Sequence, residues 1–189
     1  MKEKKYYNLT FKEVKEAMIA YDHNLFDLDM NIFYSGEPIT NWSDNVTIYV
    51  EGKKSIDYIF YPMSPMLPVS KKVQQTLISA NIEGIQFLPI RVENKNGCEI
   101  LDYAILHVVD IIPALDYVHT VWVTDEKEKA QYPEMNIWEE ALQLNSIIGK
   151  DIFRLAEMKT EIYVSQNFVN CLKKNNATLG FEFVKIGAY

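Results

Sequence analysis

Val69-Ser70, then Val73 and Leu77, then Asn81, then Gly84-Ile85-Gln86-Phe87-Leu88-Pro89-Ile90 form a stretch that the chain uses twice. Its second copy is Val164-Ser165, Phe168 and Leu172, Asn176, and Gly180-Phe181-Glu182-Phe183-Val184-Lys185-Ile186. With the serines aligned, the spacing agrees through the asparagine, and one extra residue before the second glycine restores the match. Ser70 and Ser165 stand where a chain enters a helix, and a hydroxyl there accepts from an unpaired backbone N–H. Val73 with Leu77, and Phe168 with Leu172, are i, i+4 pairs on one helix face. Asn81 and Asn176 fall where the chain must leave the helix, and asparagine tolerates the left-handed conformation common there. Gly84 and Gly180 then open aromatic-rich strands. Each copy is read as a helix followed by a strand, with Ser70, Gly84, Ser165 and Gly180 as structural residues. Asp151-Ile152-Phe153-Arg154-Leu155 stands to the second copy roughly as Asp57-Tyr58-Ile59-Phe60 stands to the first.

Working outward, Lys5 to Leu9 reads as a short strand. Thr10 with Glu13 is a capping-box pattern, and Phe11, Val14, Met18 and Tyr21 keep helical spacing, so a helix is expected over 11–21. Residues 22–45 read as a long loop with apolar anchors, and 46–50 and 57–61 as β-prone runs. Ile85 to Val92 and Glu99 to Ile112 read as a hairpin about the Asn96-Gly97 turn, its second arm the most apolar and central strand. Tyr117 to Thr124 is β-prone, and Trp138 to Ile148 has helical spacing. Hairpins mixed with helices between separated strands give an α+β fold with a mixed, mainly antiparallel sheet and a duplicated helix–strand unit, about 69–90 and 164–186. The expected organisation is a strand–helix and acidic-loop region, 1–54, packed on a main body, 55–189.

The chain has 189 residues, 48% of them hydrophobic, enough for a substantial core. Its 2 cysteines, Cys98 and Cys171, give neither a disulfide framework nor a CxxC spacing, which fits a reducing compartment. The first residues hold charges and no apolar core of a signal peptide, and the longest apolar run, Ala104 to Leu115, is too short to span a bilayer. A cytoplasmic protein without a membrane partner is the expectation.

Net charge is −7, and it is uneven: no Lys or Arg lies between Lys15 and Lys53, where Asp22, Asp27, Asp29, Glu37, Asp44 and Glu51 fall. The interval reads as a solvated acidic surface or, more sharply, as a patch that attracts a basic partner; phosphate contacts need clustered Lys and Arg, so nucleic-acid binding is disfavoured. Tyr6, Tyr7, Tyr34, Trp42, Tyr117, Trp122, Tyr132 and Trp138 include several aromatics near expected loops or acidic residues, the composition of an interface anchor within a polar rim.

A search for catalytic groups returns little. His23, His107 and His119 have no metal-ligand spacing, and Cys98 and Cys171 lack a histidine context. Asp44 with Glu51-Gly52-Lys53 weakly matches the core of metal-dependent nucleases. Asp102, Asp110 and Asp116 lie along one strand and turn, where capping is the simpler role, and Asp116 is read as structural. No phosphate-binding loop and no GxSxG elbow is present. No cofactor and no metal is implied.

Asp102-Tyr103-Ala104-Ile105-Leu106-His107-Val108-Val109-Asp110-Ile111-Ile112-Pro113-Ala114-Leu115-Asp116, the 151–155 strand, Ile162-Tyr163-Val164-Ser165 and Gly180-Phe181-Glu182-Phe183 together resemble the bacterial immunity-protein domain typified by a myxobacterial member. The resemblance covers roughly 55–189. It implies a non-enzymatic immunity protein of a polymorphic toxin system, which binds and neutralises a cognate toxin domain encoded beside it. Charge and aromatic placement nominate Asp22, Asp27, Asp29, Glu37, Trp42, Asp44, Trp122, Glu126, Glu128 and Trp138 as toxin-binding residues. The alternatives are a metal-dependent hydrolase using Asp110, Asp116 and His119, and a scaffold or adaptor unrelated to toxins.

Overall fold

The structure, a computed structural model, describes residues 5–26, 28–100, 102–123 and 137–189. In chain order the elements are β1 (Tyr6–Phe11), β2 (Ile19–Asn24), a 3₁₀ turn (Met30–Tyr34), β3 (Thr47–Glu51), β4 (Pro68–Ser70), α1 (Lys71–Ser79), β5 (Ile85–Pro89), β6 (Arg91–Asn94), β7 (Glu99–Ile100) and β8 (Tyr103–Val108). Then come β9 (Ile111–Ile112), β10 (Val121–Trp122), β11 (Ile137–Glu139), β12 (Ala141–Leu142), α2 (Leu144–Ile147), β13 (Ile152–Leu155), β14 (Tyr163–Ser165), α3 (Gln166–Lys174) and β15 (Phe181–Ala188). The strands form four sheets, ordered β12-β15-β1-β14-β13-β9, β2-β3-β6-β7, β4-β8-β5 and β10-β11. Pairing is antiparallel except at β12–β15, β13–β9 and β3–β6, so the fold is α+β as expected.

The duplicated unit is real and larger than its sequence signature. Ser70 accepts from the Val73 N–H (3.4 Å) and donates to Asp57 (2.9 Å). Ser165 accepts from the Phe168 N–H (3.2 Å) and donates to Asp151. The backbone repeats the link, with Ser70 N–H on the Asp57 carbonyl (3.0 Å) and Ser165 N–H on that of Asp151 (2.9 Å). Both helices end in a Schellman motif: Asn81 and Asn176 sit at φ 51, and the next N–H reaches back to the Leu77 and Leu172 carbonyls (3.1 and 2.9 Å).

In each unit a strand from outside the repeat slots between its two strands. β8 lies between β4 and β5, and β1 lies between β14 and β15. Tyr103 pairs with Ser70 as Tyr6 pairs with Ser165. Each buried phenol donates to a carbonyl upstream of its aspartate, Tyr103 to Ile56 (2.6 Å) and Tyr6 to Ile147 (2.7 Å).

The two units meet through Asp57, which is buried and accepts from Ser70, from Lys72 (3.2 Å) and from the Leu179 N–H of the other unit (3.0 Å). Gly180, at φ +95, lets that backbone approach: a Cβ there would stand 2.5 Å from the Tyr58 carbonyl oxygen. Leu77 and Val73 of α1 and Phe168, Val169 and Leu172 of α3 share one core with Leu9, Val164 and Phe181. Each such burial contributes about 1.5–3 kcal/mol relative to exposure.

Two expected helices are absent. Residues 11–21 give the end of β1, a turn with Glu16 at φ 60, and β2. Phe11 stacks on Phe60 (4.5 Å between centroids), and Ile19 to Asn24 pair with β3, so sheet pairing overrides the local helical spacing. Over 138–148 only Leu144–Ile147 is helical, because Ala141 and Leu142 pair in parallel with Gly187 and Ala188. Ala141, Leu142 and Ile147 are all buried, held by a strand and a short helical turn and not by one helix face. The 85–92 run divides at Ile90 into strands of two sheets, and β8 is central to its own, as its apolar sequence requires.

The 22–45 segment is pinned to the body. Trp42 Nε1 donates to the Pro89 carbonyl (2.7 Å), Gln86 binds both the N–H (2.8 Å) and the carbonyl (2.9 Å) of Ile39, and His107 Nε2 donates to the Glu37 carbonyl (2.9 Å).

Two outcomes follow from these contacts. Asp57→Ala orphans the Leu179 N–H and the Ser70 hydroxyl, and costs about 3 kcal/mol in urea unfolding, more than Asp151→Ala, since Asp151 is only part-buried and its partner Asn167 is exposed. Burial, and secondly Arg154, holds the His107 pKa below its ordinary 6.5. Below that pH the unfolded chain binds a proton that the folded chain refuses, so stability falls as pH drops from about 6.5 to 5. His107→Gln flattens that part of the profile of urea midpoints.

Candidate functional site

The aromatic and acidic residues nominated from sequence fall into two regions. In the first, Asp22, Glu37 and Asp44 are exposed. Asp29 is committed to the 3₁₀ turn, accepting from the Asn31 N–H (2.9 Å), and Glu51 is paired with Lys95. Trp42 is half-buried, edge-on to Phe33 at 6.1 Å. The acidic run is therefore spread over β2, the 3₁₀ turn, a loop and the end of β3, and Lys95 of the β6–β7 turn neutralises part of it. Asp27, Glu126 and Glu128 lie outside the described residues.

The second region is the ribbon β10–β11, where Val121 pairs with Glu139 and Trp122 with Ile137. Trp122 stacks on Tyr117 (5.6 Å, 24°) and packs on the core, whereas Trp138 is 79% exposed. Val121 of β10 is exposed too, as are Tyr117, Val118 and Val123 in the chain flanking that strand. Exposed hydrophobic side chains on and next to one short ribbon are unusual for a surface that meets only water.

Beside Trp138 opens a notch of about 430 Å³, floored by β1 and β15 of the six-stranded sheet. Asn8 of β1 pairs across to Tyr163 of β14, and its amide donates to Glu140 (3.3 Å) and Glu161 (3.1 Å). Among the described residues, the buried side-chain polar atoms without a hydrogen-bond partner are Asn8 Oδ1, Glu157 Oε2, the Tyr163 phenol oxygen and Arg154 Nε. Of these residues Asn8 lines the notch, and Tyr163 pairs with it in register from β14. Tyr163 is 0% exposed, and burial first, then Glu140 and Glu161, push its pKa far up. Burial first, then Glu157, raises the Tyr117 pKa.

Arg154 holds the loop that carries these glutamates. It is buried, donates to the carbonyls of Lys159 (2.7 Å), Thr160 (3.1 Å) and Pro65 (3.2 Å), and lies over the Tyr34 ring at 5.4 Å. Burial lowers its pKa to about 10, which leaves it charged at neutral pH. The notch itself escaped the sequence reading, because Asn8, Glu140, Glu161 and Val184 come from four separate segments. The one legible sign was the adjacency of Trp138 to Glu139-Glu140.

The residues of the hydrolase alternative do not converge. Asp110 pairs with Lys150 (2.9 Å), while Asp116 accepts from the Val118 and His119 N–H groups (2.9 and 3.1 Å) and from His119 Nδ1 (2.8 Å). Asp116 is thus the turn residue expected of it, and His119 stacks on Tyr189 (4.1 Å). Among the described residues no three His, Cys, Asp or Glu side chains are placed to hold a metal ion. Among them, too, no helix is long and apolar enough to cross a membrane.

No curated protein matches the chain. Among protein families, the Immunity protein family (Imm11) matches residues 6–188, and so extends well before residue 55, where the resemblance first becomes legible. The chain belongs to the Imm11 immunity protein family.

Proposed function

We propose that the protein neutralises a cognate toxin by stoichiometric binding, not by catalysis, and that the β10–β11 ribbon with its acidic flank is the centre of the contact. The observation that carries this reading is exposed Trp138 lining the notch together with Glu139, Glu140 and Glu161, on a ribbon whose other strand exposes Val121. An apolar centre with an aromatic anchor, inside a charged rim, is how protein interfaces concentrate their binding energy. A net charge of −7 favours a basic toxin surface and speeds encounter with it. The exposed carboxylates of Asp22, Glu37 and Asp44 contribute to that steering as a second, outer surface.

The polypeptide encoded beside this gene is the partner to test. Expressed alone it arrests growth, and co-expression with this chain restores growth and yields a fixed-ratio complex on affinity purification. Trp138→Ala weakens that complex by roughly 30-fold or more and leaves the urea midpoint unchanged, since the ring is exposed. A harmless neighbour that does not co-purify contradicts the reading.

A further inference from the structure

We infer that the open edge of β15, from Phe181 to Lys185, takes one extended segment of the toxin as an added strand, an assignment that rests on the proposed neutralising role. β15 runs for 8 residues and pairs with β1 from Phe181 to Ile186, but on its other side it meets β12 only at Gly187 and Ala188. Main-chain groups alternate in direction along a strand, and the Lys12 N–H on the Gly180 carbonyl (2.9 Å) sets the phase. Gly180, Glu182, Val184 and Ile186 therefore direct theirs at β1. Phe181, Phe183, Lys185 and Gly187 direct theirs away from it, in phase with the Tyr189 N–H on the Leu142 carbonyl (2.9 Å). The Phe181 N–H bonds to the Thr178 carbonyl (3.1 Å), and Gly187 meets β12. Among the described residues nothing bonds the N–H or the carbonyl of Phe183 or Lys185.

The other sheet edges are covered or short. The 57–59 segment bonds to β4 at Pro68 and Ser70 (3.0 Å each), and Gln86 of β5 holds Ile39. β2 bulges between Ala20 and Asp22 and gives the Ala20 N–H to Phe60 (2.9 Å), while β7, β9, β10 and β12 have 2 residues each and β11 has 3. A longer edge with unpaired groups is a template for a strand from another chain.

The chain itself opens this edge. Upstream of β12, Glu139 pairs with Val121 of the ribbon in place of β15, so the notch is lined by Val184, Lys185 and Ile186 from one strand and by Trp138, Glu139 and Glu140 from the other. Nearer its start, β15 borders a second cleft of about 650 Å³, lined by Gly180 to Phe183 with Lys12, Lys72 and Lys173. Lys72 is paired with Asp57, whereas Lys12 and Lys173 form no salt bridge among the described residues. Charge thus changes sign along the edge, with Glu139, Glu140 and Glu161 at one end and lysines at the other. A toxin segment that is basic at the notch, acidic at the lysine cleft and apolar against Val184, itself 51% exposed, complements the whole length. A second copy of this chain is disfavoured, because each copy brings a net charge of −7.

Hydrogen exchange read at single amides by NMR tests the assignment, with Glu182 and Val184 as internal references because β1 already holds them. In the free chain, Phe183 and Lys185 exchange roughly 100-fold or more faster than these references. Equal protection at all these positions, in a monomer or in a dimer on sedimentation, shows the edge already taken and overturns the inference. On binding the polypeptide encoded beside the gene, Phe183 and Lys185 slow by roughly 100-fold and the references hold. A fixed-ratio complex in which both still exchange as in the free chain overturns the added strand and leaves the neutralising role intact. Lys185→Pro deletes an N–H that the free fold does not use, so its urea midpoint stays near that of the parent, yet it binds roughly 10-fold or more weakly. Lys185→Ala keeps the N–H and binds as the parent does; equal binding by the two variants overturns the inference as well. Absence of any complex contradicts the neutralising role, and the assignment with it, even where the free chain shows the edge open.

Discussion

A serine hydroxyl that works in two directions holds this fold together. Ser70 and Ser165 each accept from the first turn of a helix and each donate to an upstream aspartate, Asp57 or Asp151. One side chain thereby ties the helix start and its entering strand to the upstream segment. Because Asp57 also takes the Leu179 N–H, the first of these junctions also joins the two units. The close approach at Gly180, the shared core under α1 and α3 and the positions of β1 and β8 all depend on that geometry.

How far the sequence revealed this is itself a matter of locality. The serines, the asparagines in left-handed conformation and the glycines sit at fixed spacing, so the duplicated unit was readable. Its central strands were not, because β8 follows the first unit while β1 precedes the second, and no local pattern links Tyr6 with Tyr103. At 11–21 and 138–148 helical spacing was present, but the strands β3 and β15 offered pairing partners that the spacing cannot register. The candidate site was half legible. Trp122 and Trp138 declared themselves as aromatics next to acidic residues, whereas the notch assembles from Asn8, Glu140, Glu161 and Val184 only after the sheet forms.

The scaffold and the proposed binding face use polar groups in opposite ways. In the scaffold, the carboxylates of Asp57, Asp110, Asp116 and Asp151 are each paired with hydroxyls, amides or cations of the same chain. At the notch, Glu140 and Glu161 accept from the Asn8 amide but, among the described residues, form no salt bridge with a Lys or Arg, and Trp138 beside them faces water. Stability forgone at one face is what a surface built for another molecule is expected to cost, since a partner restores the missing contacts on binding. Membership in the Imm11 immunity protein family makes a toxin the class of partner to test.

Hydrogen exchange of the chain, free and in complex with the polypeptide encoded beside its gene, addresses the central claim most directly. Protection concentrated at 117–123, 137–140 and 157–163 is the predicted result. Protection confined to 22–51, with the ribbon and notch exchanging as in the free protein, would contradict it.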